Sequence, residues 1–210
     1  MSIYGNPVFL GGGGGGTIIS KTITANGTYN ALSDNADGYN PVIVNTPSDI
    51  ETWDFTSSPQ LVGKTRGIVI TVSSVLTFGS EGAIFDSAAD YIKIPTLQPL
   101  EIEIEVPMMQ LSSGTHRRFV MGTDSNGLIY RSTGKWAFYN GTWEDSGELS
   151  GSFFDDSTVK IIVDSDSKWH IYKDGVLWWE PTGSQALTAP GIGSSSQSIN
   201  NAVIGSLILR

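Results

Sequence analysis

Leu100-Glu-Ile-Glu-Ile-Glu-Val106 alternates without a fault between apolar and acidic residues. Successive side chains of a strand point to opposite faces. Leu100, Ile102, Ile104 and Val106 therefore share one face, and Glu101, Glu103 and Glu105 the other. A strand with one apolar and one charged face lies on a core and in water at once, as antiparallel sheets do. Short candidate strands recur on both sides of it: Ile50–Phe55, Gly67–Val72, Val75–Phe78, Gly82–Phe85, Tyr91–Ile94, Arg118–Thr123, Gly127–Ser132, Lys135–Tyr139, Thr158–Asp164, Trp169–Lys173, Val176–Glu180 and Asn201–Leu209. They recur at roughly 8–12-residue spacing with no helical stripe between them. That pattern predicts an all-β fold of antiparallel strands, a β-sandwich or a barrel.

Composition agrees. The 210 residues include 25 Gly and only 16% charged side chains, as suits many tight turns. With 10% aromatic residues and repeated Val/Ile runs the chain is not of disordered composition. No apolar run approaches the ~20 residues a helix needs to cross a bilayer, so no membrane insertion is expected. Twelve basic against 21 acidic side chains leave a formal charge of −9, which argues against nucleic acid as partner. There is no Cys, so disulfides, thiolate zinc sites and thiol catalysis drop out. The N-terminus lacks a basic n-region and an apolar stretch of signal-peptide length, so export by the general secretory route is not expected. Asn26 and Asn140 each open an Asn-Gly-Thr triplet, which reads as a turn before it reads as a glycosylation acceptor.

Before the strand series the chain changes character. Residues 1–16 end in an unbroken hexaglycine, Gly11 to Gly16, which reads as a tether or a close-packed axial segment. It is preceded by a segment containing Ile3, Tyr4, Val8, Phe9 and Leu10, which reads as an apolar docking peptide before it reads as a disordered tail. Residues 17–47 form a small β-rich unit. Thr17–Thr24 alternates, Asn26-Gly27 is a turn and Pro41–Asn45 is a strand. It holds too few large apolar residues for a core of its own and is expected to attach or oligomerise. Residues 48–210 are the sandwich.

Two resemblances follow from particular residues. Lys21-Thr-Ile-Thr-Ala-Asn-Gly-Thr-Tyr29, then Asp37-Gly-Tyr39 and Val42-Ile-Val44, resembles a short module of bacteriophage and prophage virion proteins. That resemblance implies a tail, fibre or decoration context and no chemistry. Farther on, Trp53-Asp-Phe55, Ala83-Ile-Phe-Asp86, Asp90-Tyr-Ile-Lys-Ile94, Lys160-Ile-Ile-Val163, Trp169-His-Ile-Tyr-Lys-Asp-Gly-Val-Leu177 and Ala202-Val-Ile-Gly205 together resemble the concanavalin-A-like and laminin-G-like jelly rolls. Those folds serve lectins, adhesion modules, glycoside hydrolases and structural decorations alike.

Candidate chemistry is sparse. Glu101-Ile-Glu-Ile-Glu105 resembles the Glu-Ile-Asp-Ile-Glu motif of laminarinase-type glycoside hydrolases, but Glu103 stands where that family has Asp. The outer carboxylates lie about 13 Å apart by strand rise, and a solvated sheet face is the simpler reading. His116 and His170 have no nucleophile or second His at working spacing. The runs Asp34-Asn-Ala-Asp37, Asp124-Ser-Asn-Gly127 and Asp164-Ser-Asp166 are turn-forming, and none supplies the six to eight oxygens calcium takes. No metal and no cofactor is expected. Around Lys135-Trp-Ala-Phe-Tyr-Asn-Gly-Thr-Trp143, aromatic rings adjoin short polar and basic residues, as a sugar site requires. Tyr130, Arg131, Tyr139, Asn140, Trp143 and Glu144 form the candidate carbohydrate-binding group, with Trp136 and Phe138 facing the core. Trp143 is expected on a loop, where its loss would cost little stability. Adjacent Trp178 and Trp179 cannot both point inwards on a regular strand.

The expectation is a non-enzymatic virion structural protein displaying a lectin-like domain for host-surface or glycan adhesion. Residues 1–46 would contact other virion proteins in a homo-oligomer, trimer first and dimer second, on the particle surface. A laminarinase-type hydrolase and a free bacterial surface lectin are the alternatives.

Overall fold

The alternating strand lies inside a sheet and is paired on both sides. Ile104 faces Val159 on one neighbour and Leu207 on the other, and Glu103 faces Lys160 and Ile208. The computed structural model describes residues 27–30, 41–44, 50–56, 61–65, 67–95, 101–123, 126–188 and 190–210. The expectations for the hexaglycine, the docking peptide, the 17–24 strand, the turns at 34–37 and 124–125, and Leu100 fall outside these residues. The chain divides into two compact units, Met1–Ser48 and Asp49–Arg210.

In chain order the strands are β1 (Gly27–Asn30), β2 (Pro41–Val44), β3 (Glu51–Asp54), β4 (Thr71–Val72), β5 (Thr77–Gly79), β6 (Gly82–Phe85), β7 (Tyr91–Lys93), β8 (Glu101–Val106), β9 (Met108–Met109), β10 (Arg117–Met121), β11 (Gly127–Tyr130), β12 (Trp136–Tyr139), β13 (Trp143–Asp145), β14 (Ser157–Val163), β15 (Trp169–Lys173), β16 (Val176–Trp179), β17 (Gly191–Gly193), β18 (Ala202–Ile204) and β19 (Ser206–Leu209). The described residues contain no helix. In the first unit β1 pairs antiparallel with β2, Gly27 facing Val44 and Asn30 facing Pro41. Gly27, expected in a turn, thus opens a strand.

The second unit is an antiparallel sandwich. One sheet runs β13-β12-β11-β10-β17-β7-β4, the other β16-β15-β14-β8-β19-β3, and a four-stranded sheet runs β5-β6-β18-β9. The segment read as one strand from Asn201 to Leu209 is two, in different sheets, separated by Gly205. The sandwich core joins the inner faces, with Phe138 of the seven-stranded sheet meeting Trp169 of the six-stranded sheet at 5.1 Å between ring centroids. Trp136 stacks edge-on against Phe154 at 4.8 Å, and both are fully buried. Side chains of this size contribute about 1.5–3 kcal/mol each on full burial.

Two β-bulges explain what regular alternation does not. Arg118 faces Ile129 and Val120 faces Leu128, leaving Phe119 as the extra residue. Phe119 and Val120 both enter the core, while Arg118 and Met121 are left on the outer face. At the sheet edge Ile171 faces Trp179 and Tyr172 faces Leu177, so Trp178 is the extra residue. Both tryptophans accordingly pack against the core, Trp178 on Phe153 and Phe154. The Asp174-Gly175 turn between β15 and β16 has positive φ at both residues, 50° and 76°, as a two-residue hairpin of type I′ requires.

The outer face of the six-stranded sheet carries the acidic side chains of β8. Arg210 bonds Glu101 and Glu103, Lys160 approaches Glu101 at 4.0 Å, and Ser206 Oγ donates to Glu105. Nearby, His170 holds two carboxylates, Glu180 at 2.5 Å from Nδ1 and Asp164 at 3.3 Å from Nε2. The hydrogen bond to Glu180, and then that to Asp164, raise the His170 pKa above its ordinary value. Both ring nitrogens then donate, as only imidazolium can. A raised folded pKa gives stabilisation that is complete below the unfolded value near 6.5 and lost as pH rises through the folded value. Melting temperature is expected to fall slightly above pH 6.5 through this group, and His170→Gln to remove that part of the slope. An unchanged slope in the variant would mean the clamp carries no stability.

Candidate functional site

β10 to β13 form a meander whose alternation, interrupted at the Phe119 bulge, divides the side chains between two faces. Leu128, Tyr130, Trp136 and Phe138 point into the core. Arg118, Ile129, Ala137 and Asp145 form one cross-strand row on the outer face. A second row crosses the whole sheet: Trp143, Tyr139, Gly127, Met121, Gly191, Lys93 and Thr71.

At one end of these rows stands a cluster of rings and guanidinium. Trp143 stacks on His116, centroids 5.0 Å apart and planes 19° from parallel. Arg131 lies 4.6 Å from the Trp143 ring, in cation–π range, and Tyr139 is 4.5 Å away. Arg131 Nη1 donates to Asp145 at 2.6 Å, and Lys135 approaches the other Asp145 oxygen at 3.4 Å. The Arg131 bond, above all, holds the Asp145 carboxyl below its usual range. Burial and then the neighbouring Arg131 and Arg118 charges lower the His116 pKa. Its Nδ1 accepts from the Ser132 N–H at 3.3 Å, so the neutral ring carries its proton on Nε2. Arg118 Nε donates to Gln197 at 2.8 Å. Beneath this canopy Ile129 and Ala137 are buried although they face away from the core.

Midway along the sheet the second row dips. Gly191 and Gly193 present no side chains, and a hollow of about 270 Å³ opens above them, lined also by Lys93, Met121, Thr123, Ser194 and Ser195. An open sheet face with rings at one end and a hollow farther along it can take an extended polar ligand by stacking and hydrogen bonds.

The expected group divides. Arg131, Tyr139 and Trp143 come together on this face. Trp143 lies on edge strand β13 and not on a loop, with 38% of its surface exposed. Tyr130 is 4% exposed, and its hydroxyl donates to the Leu149 carbonyl, so it belongs to the core and cannot meet a ligand. Burial chiefly raises its pKa. Glu144 accepts from Thr182 N and Oγ1 and from Gly183 N, which fastens the 182–183 loop. Burial would raise its pKa, but those hydrogen bonds bring it below the ordinary value. Asn140 closes its own turn, accepting from Thr142, and donates to the Ser184 carbonyl. Glu144 and Asn140 are thus occupied in loop closure. His116, Arg118 and Asp145 join the site without having been chosen; cross-strand register was the missing signal for Arg118 and Asp145, and His116 comes in by stacking on Trp143. Among the described residues no group of three or more His, Asp or Glu is placed to hold a metal ion.

No family model and no curated protein matches the chain. Solved structures do. A sialidase of Trypanosoma rangeli in complex with sialic acid aligns with a TM-score of 0.55 at 13% identity, over 80% of this chain and 31% of that one. The binding domain of botulinum neurotoxin serotype D aligns at 0.51 and 13%, over 76% and 46%. What they share is the fold. The unit is an antiparallel β-sandwich, and the chain spans less than half the length of the structures it matches.

Proposed function

We propose that this chain is a non-enzymatic structural protein of a bacteriophage virion whose sandwich adheres to host-surface glycans. The observation that carries the adhesive role is the outer face of the seven-stranded sheet, which bears the Arg131, Tyr139 and Trp143 cluster towards one edge and, three strands from Tyr139, a glycine-floored hollow. The virion role is supported by the phage-like motif across residues 21–44, in which Gly27–Tyr29 and Val42–Val44 pair within β1 and β2. A two-stranded ribbon is marginal alone, which suits attachment through residues 1–46 to other virion proteins in a homo-oligomer, trimer before dimer. The hydrolase alternative is weakened where Arg210 ties up both Glu101 and Glu103.

Negative-stain labelling with an antibody against the sandwich is expected to decorate virions; labelling confined to host cells would overturn the virion role. Light scattering should give a multiple of the chain mass. Trp143→Ala is expected to reduce binding on a glycan array. It should also lower stability by about 1 kcal/mol, because cation–π and ring contacts of this kind contribute about that much. A variant of unchanged binding and lower melting temperature would make Trp143 a packing residue only. Reducing sugar released from a β-glucan by the wild type and lost in Glu101→Gln would refute the non-enzymatic reading.

A further inference from the structure

The chain carries a formal charge of −9, yet the outer face of the seven-stranded sheet has the opposite sign. Among the described residues its strands and their ends place Lys93, Arg118, Arg131 and Lys135 there against the single carboxylate of Asp145. The opposite outer face carries Asp54, Glu101, Glu103 and Glu105 against Lys64, Lys160 and Arg210. Cations gathered on one open face of an acidic protein, where self-repulsion does not require them, form a field that attracts anions and repels like-charged partners.

Their placement is as telling as their sign. Lys93 stands one strand short of the far end of the row that the Trp143–Tyr139 pair opens, with Gly127, Met121 and Gly191 between them. Neighbouring strands are about 4.8 Å apart, so the row from Trp143 to Thr71 spans roughly 29 Å. Gly127 and Gly191 have no side chain, and between Met121 and Lys93 the row is a trough, the hollow lined by Gly191, Gly193 and Ser195. Arg118 stands farther along the strand of Met121, Arg131 follows the strand that Gly127 opens, and Lys93 is exposed on the lining of the hollow. The trough fits a chain molecule, its rings to one side and charged groups along its length.

We infer that the ligand of this face is an acidic glycan, an oligosaccharide bearing carboxylate or phosphate groups, lying across the strands from Trp143 towards Lys93. This rests on the glycan-adhesion reading above. Neutral rings of the saccharide stack at Tyr139 and Trp143, while its anionic groups meet Lys93, Arg118 and Arg131. Guanidinium suits either anion as a planar donor pair, and the ammonium of Lys93 acts as a point charge.

The test uses the full chain on an array carrying neutral, uronate-containing, sialylated and phosphorylated oligosaccharides. Acidic members are expected to dominate the hits, the preferred class telling carboxylate from phosphate, and binding should weaken as salt is raised. Lys93→Glu, an exposed charge reversal, should weaken the acidic hits by about tenfold, roughly 1.4 kcal/mol. Ser195→Trp should block the trough without touching the sheet, because Ser195 is exposed on its lining. Circular dichroism confirms that both variants fold. Neutral hits alone, indifferent to salt and to Lys93→Glu, would overturn the acidic-glycan inference and leave glycan adhesion standing. An array with no hits would overturn glycan adhesion itself, and this inference with it.

Discussion

Replacing Trp136 by alanine should destabilise the sandwich by about 3–5 kcal/mol, the range for a buried aromatic truncated in a core. Trp136 has no exposed surface and lies among Phe119, Tyr130 and Phe154, at 4.8 to 5.9 Å between centroids. Its Nε1 donates to the Ser150 carbonyl at 2.9 Å, and its own backbone carbonyl accepts from Ser146. The ring thus fixes the 146–150 loop as well as filling the core. Alanine leaves a cavity, and it also leaves the Ser150 carbonyl without that donor. Domains of this size hold only about 5–15 kcal/mol of stability, so the variant should unfold at much lower urea. Trp143→Ala, on the edge strand of the same sheet, should cost far less. Urea midpoints for the two variants measure the difference; equal losses would mean Trp136 is not the centre of this core.

How much of this was legible depended on the length of each strand. Glu101–Val106 and Ser157–Val163 show an unbroken burial alternation, because residues long in sequence and paired on both sides obey period two. Met108–Met109 and Gly191–Gly193 escaped notice, being too short to alternate, and Trp143–Asp145 hid behind the turn at Asn140. Within the site, the candidate group was assembled by closeness along the chain, which mixes faces. Tyr130 and Arg131 are neighbours and therefore point apart, and Glu144 faces away from Trp143 and Asp145 for the same reason. Arg118 joins the face by pairing with Ile129 of β11, and His116 by stacking on Trp143 and accepting from the Ser132 N–H. Neither register nor a bulge leaves a mark in local composition. The paired tryptophans at 178 and 179 make the same point, since the conflict between them was visible and its resolution by a bulge was not.

Gly127→Ala should be among the most damaging single-methyl changes in the molecule, although it adds one carbon. Gly127 opens β11 at φ 150°, and a Cβ there would lie 2.0 Å from the Val120 carbonyl oxygen and 3.0 Å from the Met121 Cα. Both contacts are backbone atoms of the neighbouring strand, so no rotamer change relieves them. The β10–β11 pair would have to separate where Met121 faces Gly127, at the floor of the row that crosses the sheet. Forced backbone displacement and an unfavourable φ together should cost more than about 3 kcal/mol. Gly141→Ala supplies the control. Its φ is also positive, 109°, yet nothing lies within 4 Å of the added carbon. Only the conformational penalty applies there, about 1 kcal/mol. Thermal melts of the two variants separate close approach from backbone preference. Equal, small losses would show that β10 and β11 can part without strain, and the trough would then lack the rigid floor that its ligand contacts require.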